Sequence, residues 1–78
     1  MNVNELKLIL ESENIPKRYY LLGNEGVTED KDCLTFSNGQ WHVFYSERGQ
    51  KYDYVSFIAE SDACDELLIR LRKRTISS

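Results

Sequence analysis

The chain has 78 residues and a net charge of −3; about 60% of the unfolded surface is hidden in a domain of this size, which excludes a second core and makes a flat or convex working surface cheaper than a deep enclosed cleft. Hydrophobic residues at 41%, charged residues at 29% and nine aromatics exclude a disordered chain. The charge is uneven: residues 1–66 carry 13 acidic and six basic side chains, whereas residues 67–78 carry Arg70, Arg72, Lys73 and Arg74 and no acid. An acidic body repels phosphate backbones, so no nucleic-acid partner is expected, and it steers a basic protein instead.

The opening residues read as a helix. Asn2 can cap it, Glu5 stands where a capping box needs a carboxylate, and Val3, Leu6, Ile9 and Leu10 recur at helical spacing. Pro16 disfavours helical geometry at Ile15, which places the end near Ser12–Asn14. Lys17–Leu22 reads as a short strand, followed by a polar, acidic loop from Gly23 to Asp32. Cys33–Phe36 is a second strand, Asn38-Gly39 a hairpin turn, and Gln40–Glu47 a third strand. Lys51–Ala59 is a fourth strand. Ser61 reads as the cap of a second helix, with Asp62 in its first turn. Ala63, Cys64, Leu67, Leu68 and Leu71 form its apolar stripe, its arginines suit the helix C-terminus, and residues 75–78 read as a frayed tail. The expected fold is a single α+β domain over residues 1–78. An antiparallel sheet of three to four strands lies between two helices, both helices covering one face.

Side-chain alternation sets the register. A two-residue turn at Asn38-Gly39 pairs Phe36 with Trp41 and Leu34 with Val43 on one apolar face. A three-residue loop at Arg48–Gln50 pairs Glu47 with Lys51 and brings Val55 and Phe57 onto that same face. A two-residue loop would set Val43 against Tyr54 instead. With the three-residue loop, His42, Phe44, Ser46, Tyr52, Tyr54 and Ser56 occupy the opposite face. If both helices lie on the apolar side, Phe44, Tyr52 and Tyr54 form an open aromatic surface suited to a protein partner. One helix on each face would make Phe44 and Tyr54 core instead. Asp53 and Glu47 stand at the sheet margins, Arg48 joins Glu47 at a hairpin tip, and Glu29, Asp30 and Asp32 rim the surface from the loop. These nine residues (Phe44, Tyr52, Tyr54, Asp53, Glu47, Arg48, Glu29, Asp30 and Asp32) are the candidate partner-binding set.

Catalytic and metal chemistry find little to work with. One histidine and two widely spaced cysteines offer no metal-ligand spacing. The four glycines match no phosphate-binding pattern. His42 is the one candidate imidazole base, with Thr35 and Ser56 as cross-strand neighbours and no strained nucleophile turn beside it. No catalytic residue, no metal and no cofactor are therefore expected. Cys33 and Cys64 make no disulfide framework. Residues 1–10 lack a basic stretch leading into a long apolar run, and no segment approaches the length that spans a bilayer. A cytoplasmic protein with reduced thiols and no membrane partner is the expectation.

The segment Trp41-x-Val43-x-Tyr45-x-Glu47-Arg48-Gly49, followed by Phe57-x-x-Glu60-x-x-Ala63-Cys64-x-x-Leu67-Leu68, resembles small immunity proteins of bacterial polymorphic-toxin and contact-dependent inhibition systems. Cys33-Leu34, Asn38-Gly39 and the short opening helix fit the same pattern. The resemblance implies a cytoplasmic antidote that binds a toxin domain and blocks its active site or substrate entry. A basic nuclease is the toxin class that suits an acidic inhibitor. The pattern marks a scaffold and transfers no binding residues. The alternative is a small homodimeric adaptor or regulatory module using the aromatic sheet face.

Overall fold

Helix α1 (Val3–Ser12) opens the computed structural model, which describes residues 1–26 and 28–77. The capping box forms as expected. Asn2 Oδ1 accepts from the Glu5 N–H at 2.8 Å, and the Glu5 carboxylate accepts from the Asn2 N–H at 3.3 Å. Leu6 and Leu10 are fully buried, with Val3 and Ile9 partly so. The helix ends because Asn14 turns left-handed, with φ at 56°. The Ile15 N–H then reaches Leu10 O at 3.0 Å and the Asn14 N–H reaches Glu11 O at 3.1 Å. This pair of bonds is a Schellman motif, and Ile15 and Leu10 both belong to the core, as that motif favours.

The strand expected over Lys17–Leu22 is shorter. Lys17–Tyr19 forms a single 3₁₀ turn, closed by the Tyr19 N–H on Pro16 O, and only Tyr20–Leu22 (β1) joins the sheet. The remaining strands are β2 (Lys31–Ser37), β3 (Gln40–Glu47) and β4 (Gln50–Phe57), in spatial order β1-β2-β3-β4. β2–β3 and β3–β4 are antiparallel, but β1 runs parallel to β2, so the α+β sheet is mixed. Residues 23–30 make that parallel connection. Asn24 continues the β1 edge with its side chain, donating to Phe36 O at 2.6 Å and accepting from the Phe36 N–H at 3.0 Å.

Helix α2 (Glu60–Ser77) starts one residue earlier than Ser61 and extends past Arg74, so the expected frayed tail is helical as far as Ser77. Ser61 lies within the first turn and not at the cap position. The two helices lie side by side in the same direction. At one end the Val3 N–H bonds to the Glu60 carboxylate at 2.9 Å. At the other, Arg72 forms an ion pair with Glu13. Leu6, Leu10, Ile15, Tyr20, Leu34, Val43, Ala63, Cys64, Leu67, Leu68 and Leu71 form one core between the helices and a single sheet face. No helix among the described residues is long and apolar enough to cross a membrane.

The first hairpin follows the expected register, with Ser37 opposite Gln40, Phe36 opposite Trp41 and Leu34 opposite Val43. The second overturns the three-residue loop. Arg48 and Gly49, at φ 51° and 76°, form a two-residue turn that pairs Glu47 with Gln50, Ser46 with Lys51 and Tyr45 with Tyr52. Such a turn would throw Val55 and Phe57 onto the wrong face. A β-bulge between Val43 and Tyr45 absorbs the extra residue and restores Val43 opposite Val55 and Trp41 opposite Phe57. Asp53 carries the cost, standing at φ 52°.

Candidate protein-binding site

The bulge redistributes the expected aromatic surface. Tyr52 pairs with Tyr45, so it belongs to the helix-side face and not with Phe44 and Tyr54. Phe44 is 4% exposed and is no open anchor. The Tyr54 ring stacks on it at 5.3 Å, and the Lys51 ammonium lies 4.8 Å from its centroid. Thr28 is tied to this face as well, through the Ser46 hydroxyl donating to its Oγ1 at 3.3 Å. Tyr54, 48% exposed, is the one aromatic of the three that stays open on this side. Both helices do lie on the other face, so Phe44 is covered by its own sheet neighbours and not by a helix.

His42, in the same layer, is saturated by serines. Nδ1 lies 2.9 Å from Ser56 Oγ, and Nε2 lies 3.1 Å from Ser37 Oγ and 3.2 Å from Ser37 O. Thr35 and Ser56 are both the cross-strand neighbours expected; Ser56 bonds one ring nitrogen, and Ser37 takes the other. Cys33 and Cys64 are free, buried thiols, each pushed up to about 11 chiefly by burial, which suppresses the reactive thiolate. Among the described residues no cluster of His, Cys, Asp or Glu is arranged to hold a metal.

The acidic residues converge elsewhere, at the end of the sheet that carries the Arg48-Gly49 turn. Glu29 Oε1 accepts from the Arg48 N–H at 2.6 Å, which fastens the loop to the hairpin tip. Tyr45, on the helix-side face, stands among these acids. Burial raises its pKa most, and Asp30, Glu47 and Asp32 add to the rise against Arg74. Asp32 is not a loop residue on the rim. It lies in β2 with a side chain 9% exposed, and its carboxylate is 3.6 Å from the Arg74 guanidinium. Burial raises its pKa despite Arg74 and Arg70. The loss of solvation outweighs the two neighbouring arginines, and Asp53 adds a smaller rise.

The basic tail folds back onto this acidic body. Arg74 donates to Tyr19 O and Asp30 O, each at 3.2 Å, and its guanidinium lies 4.2 Å from the Tyr19 ring centroid. Arg70 donates to the Glu66 carboxylate and to Asp53 O, each at 2.6 Å. Between α2 and the bulge lies an open groove of about 540 Å³, lined by Asp32, Tyr45, Asp53, Glu66, Arg70 and Lys73, with Tyr54 and Val55 completing its wall.

Of the nine candidate residues, Asp30, Asp32, Asp53, Glu47, Glu29, Arg48 and Tyr52 gather at this end, whereas Phe44 and Tyr54 stack on the far side of the sheet. Tyr45, Glu66 and Arg70 are the additions that the fold makes to this set. Tyr45 had one available signal: an aromatic on the helix-side face, next to acids, at the end of β3. In comparisons with protein-family models, curated proteins and solved structures, nothing matches this chain.

Proposed function

We propose that this chain is a toxin-neutralising immunity protein, which binds a basic toxin domain through the acidic end of its sheet and occludes it. The supporting observation is the convergence on Tyr45 of acids from separate segments. Asp30 and Asp32 come from the β1–β2 connection and β2, and Glu47 comes from the β3–β4 hairpin. Glu29 fixes the two segments to each other. A preorganised acidic surface with an aromatic centre is suited to fast, electrostatically steered association with a basic partner. The three arginines of α2 are all engaged within the chain, so a nucleic-acid role for that helix has little support.

The test uses the purified chain as bait in extracts of the source cells, followed by an activity assay of whatever protein is captured. The expected result is a captured basic protein whose activity the chain inhibits. Asp30→Lys with Glu47→Lys is expected to abolish capture while circular dichroism stays native. Capture unaffected by that double reversal overturns the acidic-end reading, and a captured enzyme that remains fully active overturns the antidote.

The alternative, a homodimeric adaptor, gains support from β4. It is an edge strand, exposed along most of its length, carrying Tyr54 and Val55. The bulge at Asp53 interrupts that edge and works against pairing with a second copy. Concentration-dependent mass in solution would favour the adaptor.

A further inference from the structure

The two hairpin turns share a backbone conformation and differ in chemistry. Asn38-Gly39 and Arg48-Gly49 each put two residues at positive φ, but only the first sets a carboxamide beside the glycine. The main-chain nitrogen that follows an asparagine can attack the side-chain carbonyl, because the ring that closes has five members. Two restraints slow this reaction: a bulky side chain on the following residue, and hydrogen bonds that hold the amide still.

The sequence has five asparagines. Asn2, Asn4, Asn14 and Asn24 precede Val3, Glu5, Ile15 and Glu25, whose side chains crowd the attacking nitrogen. Asn2 Oδ1 also accepts from the Glu5 N–H, and the Asn24 amide bonds both backbone groups of Phe36. Asn38 has neither restraint. Its neighbour carries no Cβ, and a Cβ there would meet no atom within 4 Å, so the space beside the nitrogen is open. The Asn38 side chain is exposed and makes no hydrogen bond among the described residues. The ladder closes with Ser37 opposite Gln40, which leaves the Gly39 N–H outside it.

We infer that Asn38 is a site of spontaneous modification, where the chain converts its own asparagine to isoaspartate and aspartate. The Gly39 nitrogen bonds to Asn38 Cγ, the Cγ–Nδ2 bond breaks, and ammonia leaves with the proton that Gly39 gives up. Water then opens the succinimide. Cleavage at Cγ leaves aspartate in an unchanged main chain. Cleavage at the Asn38 main-chain carbonyl leaves isoaspartate, with the main chain routed through Cγ. Ring closure turns Asn38 about ψ, which the turn holds, so the reaction proceeds when the hairpin end opens locally. The isoaspartyl backbone is one methylene longer and no longer fits the tight turn from Ser37 to Gln40. Asn38 lies at the opposite end of β3 from the acidic tip, so the modification acts on the stability of the first hairpin and does not rest on the proposed function.

The test ages the full chain and an Asn38→Gly variant side by side at mildly alkaline pH, which speeds loss of the Gly39 proton. Asn38→Gly keeps a turn that accepts positive φ at both positions and removes the carboxamide. Peptide mapping by mass spectrometry, with isoaspartyl methyltransferase labelling, is expected to find isoaspartate at position 38 of the parent chain ahead of every other asparagine. The aged parent is expected to develop a second population with a lower urea midpoint, and the variant to keep a single midpoint. Absence of isoaspartate at position 38, or modification of Asn4 or Asn14 as fast as Asn38, would overturn the site. A purified isoaspartyl chain that unfolds at the parent midpoint would overturn its effect on the hairpin.

Discussion

The two hairpins of this sheet are closed by turns of the same kind, yet they leave different structures behind them. Asn38-Gly39 and Arg48-Gly49 each place two consecutive residues at positive φ, near 50° and then 75°. After the first turn the ladder runs without interruption to Lys31 opposite Ser46. After the second it runs for three pairs and breaks at the bulge. The turn therefore does not set the register of the second hairpin alone. Burial of Val43, Leu34 and the stripe of α2 demands Val55 and Phe57 on the helix side, and a one-residue error anywhere would send both to the other face. The chain corrects the parity at Asp53, and the correction produces the groove. One hairpin is a stability element, and the other is where stability is traded for a shaped surface.

The largest effect is expected in the first hairpin. Leu34→Ala removes a residue that is 1% exposed in the middle of the core. It should cost about 2–5 kcal/mol, seen as a lower urea midpoint at unchanged m-value. A smaller loss would mean that the core closes over the cavity. The turns themselves come next. A Cβ at Gly39 or Gly49 would meet no atom within 4 Å, so the penalty is conformational only. Gly39→Ala and Gly49→Ala should therefore cost about 1 kcal/mol each. A large inequality between them would show that the second turn is held in place by more than its own backbone.

Deleting Asp53 makes the second hairpin like the first. It relieves about 1 kcal/mol of left-handed strain and forfeits about 1 kcal/mol from the Arg70 bond to the Asp53 carbonyl. The two nearly cancel, so the variant should fold with Tyr54 directly opposite Phe44 and an uninterrupted ladder, visible in amide exchange and cross-strand NMR contacts. An unfolded product would show that the bulge stabilises the fold as well as shaping the surface.

The smallest effect is expected at Asp32. Burial raises its pKa above the ordinary carboxylate value, so the native chain holds this proton more tightly than the unfolded chain does. Its contribution to stability is therefore full below about pH 4 and is lost as pH rises through the raised folded value. Asp32→Asn should leave stability at neutral pH within about 1 kcal/mol and flatten the pH dependence above pH 4 in urea titrations. A loss well beyond 1 kcal/mol would show that the Arg74 ion pair outweighs the burial. Glu13, lowered by its bond to Arg72, has the opposite sign: its contribution is present above the ordinary carboxylate value and is lost as pH falls through the lowered one.

Much of the fold was legible in the chain itself, because the signals are local. The Asn2–Glu5 capping box, the stripe Val3–Leu10, the Asn38-Gly39 turn and the bounds of β3 all follow from short-range spacing. The pairing of Trp41 with Phe57 and of Val43 with Val55 was also legible, since only one face of the sheet can accept the helices. How the second hairpin reaches that pairing was not. A three-residue turn and a two-residue turn with a bulge bury the same side chains and differ only in backbone strain, which Arg70 offsets by bonding to the Asp53 carbonyl. The parallel placement of β1 was hidden for a similar reason, since the Asn24 side chain supplies hydrogen bonds that a longer strand would otherwise have made. Local composition thus determined the elements, the apolar face and the acidic character of this protein. Tertiary structure alone decided that Asp32 is buried against Arg74, that Phe44 is covered by Tyr54, and that the acids meet at Tyr45, because each depends on contacts between residues distant in the chain.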